Sequence, residues 1–252
     1  MIHILILITF LFPKLSDYKQ AAVPYTVATP LFSDYTDKDR MISIPFDKKI
    51  IITDNGLPQF PDGTVLFKTF SRAGVKIETR VLLKTATSWE AGTYVWDDAQ
   101  QDAYLSRGRE KKFKGYIVPG IKQCHSCHGK DIRPIGFKAR NVYYQLPFFV
   151  QAGILKAPDM TSLSPLPDWQ DSTISVEKRA RAYLDMNCAH CHHPTGMCNK
   201  SDLRLAYEAY LDPTYKQRIL KYMQSGKMPL LGTHMIHKEG VALIADYIAT
   251  LK

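Results

Sequence analysis

The stretch VKIETRVLLK, Val75–Lys84, alternates: Ile77, Thr79, Val81 and Leu83 fall on one side, and Lys76, Glu78, Arg80 and Lys84 on the other. Period two predicts a half-buried strand. RMISIP, DKKIIITD, GTVLFKTF and GTYVW are further strand candidates, punctuated by the turn pairs Asn55-Gly56, Asp62-Gly63 and Ala91-Gly92. Short strands with no helix between them predict an antiparallel sheet or small sandwich for the first half.

The period then lengthens to that of a helix. Ser175 is placed as an N-cap, and Val176, Ala180, Tyr183 and Leu184 form a stripe behind it. Asp212 followed by Pro213 opens another helix. Val241, Ile244, Ala245, Ile248 and Leu251 share one face of a terminal one. A helix is also expected from Val142 to Leu155, with Gly153 tolerated inside it.

The first residues form an apolar run from Ile2 to Phe12, broken only by His3 and Thr9. It is too short to span a bilayer as a helix. It resembles the apolar part of a secretory signal, although no Lys or Arg precedes it and no small-x-small site follows. A buried opening strand or helix is the alternative to export.

Composition adds bounds. Of 252 residues, 45% are hydrophobic and 23% charged, which fits a globular chain and excludes a disordered or collagenous one. The net charge is +9. Ten basic residues crowd into 107–140 (Arg107, Arg109, Lys111, Lys112, Lys114, Lys122, Lys130, Arg133, Lys138 and Arg140) against Glu110 and Asp131. This segment is either a solvated surface offsetting the acidic groups of a cofactor or a docking face for an acidic partner. No nucleic-acid recognition motif accompanies it. The chain has no G-x-S-x-G, H-E-x-x-H or phosphate loop, and adjacent Asp97 and Asp98 read as turn residues, so no catalytic constellation is expected.

The chemistry lies in the cysteines, Cys124, Cys127, Cys188, Cys191 and Cys198. Four form two C-x-x-C pairs, each followed by a histidine: QCHSCH with His128 and NCAHCH with His192. A Cys₄ zinc site would use the pairs but not the histidines. A dithiol redox pair would explain neither the histidines nor the duplication. Covalent haem attachment explains all six residues, since two thiols three apart bond one haem's vinyl groups and the adjacent histidine ligates its iron. Cys198 is left over as a free or buried thiol.

From 175 onward the order is helix, C-x-x-C-H, helices, a Met228-Pro229 loop and a terminal helix, and this segment resembles a class I cytochrome c. The resemblance implies Met228 as the distal ligand of the haem held by Cys188, Cys191 and His192. For the first haem, Met160 is the preferred distal ligand, with His234, His237 or an open position as alternatives. Across nearly its whole length from Leu15, the chain resembles a bacterial family of exported two-haem c-type cytochromes. The stretches that carry this are VPYTVATPLFSDY, FPDGTVLFKTF, IETRVLL, YVWDDAQQDA, YIVPGIKQCHSCH, PIGFKARN, NCAHCHHPTG and MPLLG with EGVALI.

The expectation is therefore an α+β chain. A leader-like segment (1–14) precedes an antiparallel β-rich domain (15–118), a first haem-binding segment (119–172) and an α-helical, class I cytochrome c-like domain (173–252). Two covalent haems c are expected to move electrons between redox partners, which the basic surface suggests are acidic, in the periplasm or outside the cell. Membrane association through the N-terminus and assembly with itself or other chains stay open. The alternatives are a peroxidase-like enzyme with an open first haem and a structural haem subunit of a larger assembly or filament.

Overall fold

The computed structural model describes residues 11–54, 56–106, 111–113, 116–129, 131–230 and 232–251, with only the backbone given at 111–113 and 121. The apolar run up to residue 10 therefore lies outside the described residues, as does much of the basic segment: Arg107, Arg109, Lys114 and Lys130.

In chain order the strands are β1 (Val23–Pro24), β2 (Asp37–Ser43), β3 (Ile51–Ile52), β4 (Pro58–Gln59), β5 (Val65–Arg72), β6 (Val75–Lys84), β7 (Trp89–Trp96), β8 (Ala103–Leu105), β9 (Lys111–Phe113) and β10 (Tyr116–Val118). Six build one antiparallel sheet in the order β1-β2-β5-β6-β7-β8, while β3–β4 and β9–β10 are separate pairs. Tight links enforce the antiparallel arrangement. β5 turns into β6 through Ala73 and Gly74, both with positive φ, as the twist of a two-residue hairpin requires. The β6–β7 link closes with Thr85 N–H donating to the Ser88 carbonyl at 2.8 Å. Asp97 lies in the β7–β8 turn, where its carboxylate accepts from Gln101 N–H at 2.9 Å.

Both faces of the sheet are covered. Ile42, Leu66, Leu82 and Ala91 stand opposite one another and pack with Tyr25, Ile50, Phe137, Leu146, Phe149 and Leu155 in the main core. On the other face Val65, Val81, Tyr94 and Ala103 pack against Leu11, Leu15 and Tyr18. The Glu78–Arg80 side of β6, expected from alternation to be the polar side of a half-buried strand, is the side of Leu82, and Glu78 is fully buried there.

The helices are α1 (Ile121–His128), α2 (Leu146–Gln151), α3 (Val176–Asn187), α4 (Lys216–Gln224) and α5 (Lys238–Thr250). They correct the expected α-helical c-type cytochrome region. Helix makes up 27% and strand 21% of the described residues, so about half of them are neither, and the longest helix among them has 13 residues. The sheet is the dominant element, and the second half is short helices joined by long irregular stretches. The cause is local. Asp168 and Asp171 each accept from the backbone N–H two residues on, giving the chain turns in place of helical bonds. Gly153, at φ 75°, follows closely on α2, which spans only six residues where a helix from Val142 to Leu155 was expected.

α3, α4 and α5 share a core of Ala180, Tyr183, Leu184, Ile219, Met223, Ile244, Tyr247 and Ile248. The inward face of α5 is rotated from the expected stripe: Gly240, Leu243, Ile244, Tyr247 and Ile248 are buried, while Val241 and Ala245 flank them. A Cβ at Gly240 would run into the Tyr183 ring, whose hydroxyl bonds His237 Nδ1 at 2.9 Å. Gly240→Ala should therefore lower stability by about 1–3 kcal/mol through overpacking, despite alanine's better helix propensity. Thermal melting beside a neutral Ala242→Ser control would show it.

Residues 32–35 join the sheet to this helical part. Asp34 is buried and accepts from the backbone N–H of His234 at 2.7 Å and of Met235 at 2.9 Å. Phe32 stacks on His237 at 4.1 Å between ring centroids, and its N–H donates to Asn187 Oδ1 at 2.7 Å. Among the described residues, no helix is long and apolar enough to cross a membrane.

Candidate functional site

The first motif is itself helical. α1 spans IKQCHSCH, and residues three and four apart share a helix face, so Cys124, Cys127 and His128 point the same way while His125 is exposed. Gly129, at φ 79°, ends the helix. The chain then folds back: Arg133 N–H donates to the His128 carbonyl at 3.0 Å, and the Arg133 carbonyl meets His128 Nδ1 at 2.8 Å. An Nδ1–H donated to that carbonyl leaves Nε2 with the free lone pair, the arrangement that orients a metal-ligating imidazole.

The second motif begins at the C-terminal end of α3. Cys191 and His192 N–H both reach the Cys188 carbonyl, at 3.1 and 3.0 Å, closing a compact turn. Gly196 packs on it so closely that a Cβ there would collide with the Cys191 carbonyl. The Nδ1 atoms of His190 and His192 are buried and lack a hydrogen-bond partner.

Each motif opens on a cavity. The larger, ≈ 330 Å³, is lined by Cys188, Cys191, His192 and Met228 among Leu184, Leu203, Leu205, Ile219 and Met223. The sequence-expected ligand set of the second haem is thus brought together, and Cys198 lies on the same wall. Its volume lies within the range of about 300–1,000 Å³ usual for small-molecule sites. The smaller cavity, ≈ 140 Å³, lies between α1 and the sheet and is lined by Cys124, Cys127 and His128 with Leu66, Leu82 and Phe137. An occupant of haem size would protrude from it.

The two cavities abut. Cys127, Asn187, His190 and Pro229 line both, and the Cys127 and Cys191 side chains are neighbours there. The neighbouring Cys191 thiol, aided by His190, holds Cys127 well below the usual thiol range, and Cys191 is pushed up in turn. Burial pushes Cys188 up to about 12 and raises Cys124. Burial also holds His128 down at about 4, with Lys68 and Arg80 adding to it, and lowers His192. Both imidazoles are therefore neutral at physiological pH, the form that ligates a metal.

Thiols, neutral imidazoles and a thioether around apolar cavities suit haem. Among the described residues no group of three His, Cys, Asp or Glu side chains that could hold a metal ion is present.

The remaining expected ligands lie elsewhere. Met160 packs at the margin of the main core and lines neither cavity. His234 Nδ1 faces Asp34 Oδ2 at 3.3 Å, and His237 is held between Phe32 and Tyr183. Instead the smaller cavity presents Arg40, Lys68 and Arg80 beside His128. The sequence reading missed these cations because alternation assigns charged residues to solvent. The signal available was Leu82, two residues from Arg80 and hence on the same side of the strand. No family model matches the chain, and no curated protein or solved structure is detectably similar to it.

Proposed function

We propose that the chain holds two covalent haems c and passes electrons between them and to redox partners outside the cytoplasm. The observation that carries this reading is the meeting of the two C-x-x-C-H motifs at the Cys127–Cys191 contact, with one cavity on either side. When bound, haem iron supplies a one-electron change of oxidation state.

The chain's own residues do the rest. Cys124 with Cys127, and Cys188 with Cys191, tether the two groups. His128 and His192 offer neutral imidazoles, His128 oriented by the Arg133 carbonyl. Met228 is fixed beside the larger cavity by its N–H bond to the Tyr222 carbonyl at 3.1 Å. Leucine, isoleucine and phenylalanine walls exclude water. The basic segment around the first motif suits brief docking of an acidic partner, at rates that fall as salt screens the charge.

Intact mass of the exported protein should exceed the polypeptide by two haems, and bound zinc or a mass of one haem would sink the proposal. In that holoprotein, Met228→Ala should alter the spectrum of one haem and lower its potential, because a thioether ligand favours the reduced iron. Peroxide turnover that depends on the Cys124–His128 haem would favour an enzyme over a carrier.

A further inference from the structure

Arg40, Lys68 and Arg80 form a feature that the proposed function leaves unused. They stand directly opposite one another on β2, β5 and β6, on one side of the sheet, and all three line the smaller cavity with Cys124, Cys127 and His128. Like charges placed opposite one another across strands are destabilising, and all three side chains are half-buried, where lysine and arginine usually keep a partner. Only Arg80 has one, with Nη2 2.6 Å from Glu78 Oε1. Lys68 Nζ sits 4.8 Å from the Phe70 ring centroid, a partial compensation, and Arg40 donates to the Lys38 carbonyl at 3.3 Å. Among the described residues, neither has a carboxylate within ion-pair distance. Burial and the flanking cations push the Lys68 ammonium well below the usual lysine range, as befits a charge lacking its counter-ion.

Three basic side chains against one carboxylate leave Arg40 and Lys68 without a counter-charge in a cavity whose walls also include Tyr25, Leu66 and Phe137. We propose that this row binds the two propionate carboxylates of the haem tethered at Cys124 and Cys127. The inference rests on the haem reading above. A haem attached by its vinyl edge carries its two carboxylates on another edge, and arginine and lysine in a low-dielectric wall bind such groups strongly. The occupant's two negative charges match the two unpaired cations.

The test uses the holoprotein as wild type, Lys68→Met, Lys68→Arg and Lys48→Met, Lys48 being an exposed lysine outside the cavity. Intact mass comes first: wild type without haem at Cys124 and Cys127 sinks both readings together. With two haems present, potentiometric titration followed by absorption decides. Lys68→Met should lower the potential of the Cys124–His128 haem, because losing a nearby cation favours ferric iron. The expected size is about a tenfold rise in the oxidised-to-reduced ratio at fixed poise, or about 59 mV for one electron. Lys68→Arg and Lys48→Met should stay at the wild-type value.

Three results overturn the inference while leaving the haem reading intact. One is an unchanged potential in Lys68→Met. Another is a Lys68→Arg spectrum altered as much as that of Lys68→Met, which would put the lysine amine itself on the iron. The third is a spectral shift on adding acetate or phosphate to wild type that disappears in Lys68→Met, which would make the row a site for a diffusible anion.

Discussion

Replacing Arg80 with leucine should cost about 3–5 kcal/mol of stability, and adding Glu78→Gln to the same chain should recover most of it. Glu78 is fully buried. Its Oε1 accepts from Arg80 Nη2 at 2.6 Å and Nε at 3.1 Å, and from the Tyr116 hydroxyl at 2.8 Å, while Oε2 has no partner. Without the guanidinium, a carboxylate stays buried on one phenol, and breaking a buried pair costs more than replacing it whole. Glutamine in its place carries no charge to desolvate. Urea unfolding of the three chains reads the difference as a shift in midpoint at constant slope. A loss below about 1 kcal/mol in Arg80→Leu would mean that water reaches Glu78, the regime of exposed pairs.

Phe149→Ala should cost a similar amount, about 3–5 kcal/mol, for a different reason. Phe149 on α2 is 0% exposed and stacks on Phe137 at 5.8 Å between ring centroids, while Phe137 lines the smaller cavity. Truncation removes apolar contact and leaves a void that rigid neighbours on the sheet fill poorly. Phe149→Leu should recover most of the loss. A small shift in urea midpoint for the alanine variant would show that α2 collapses into the space. Because Phe137 leans on Phe149, the same variant should loosen the wall opposite His128.

The sheet was legible because its strands alternate and their turns carry glycine or hydrogen-bonding side chains. What alternation hid is the side of β6 that carries Glu78 and Arg80. That rule takes charged residues as solvated, and no local signal shows that α1 and the chain after it cover that side. α3 was legible from Ser175 and its apolar stripe. The face of α5 was misjudged at Gly240, since glycine carries no hydrophobic signal, yet its missing side chain is what admits Tyr183. The helical second half was overestimated because periodic apolar residues survive in stretches where aspartate side chains take the backbone bonds for turns. C-x-x-C-H spacing located both motifs, and the resemblance to a class I cytochrome c pointed to Met228. Their adjacency was invisible, because more than sixty residues separate Cys127 from Cys191 in sequence.

That adjacency bears on how the protein is made. On the two-haem reading, the Cys127 and Cys191 side chains are already neighbours before attachment, and Cys127 is the more acidic of the two. A thiolate beside a thiol is the starting point for disulfide formation. If the pair gives up two electrons and two protons to a disulfide oxidant, the resulting bond takes one sulfur from each motif and disables both attachment sites in a single event. On the two-haem reading proposed above, maturation outside the cytoplasm would have one shared checkpoint, and a reductant acting on this one pair would protect both halves of the molecule at once.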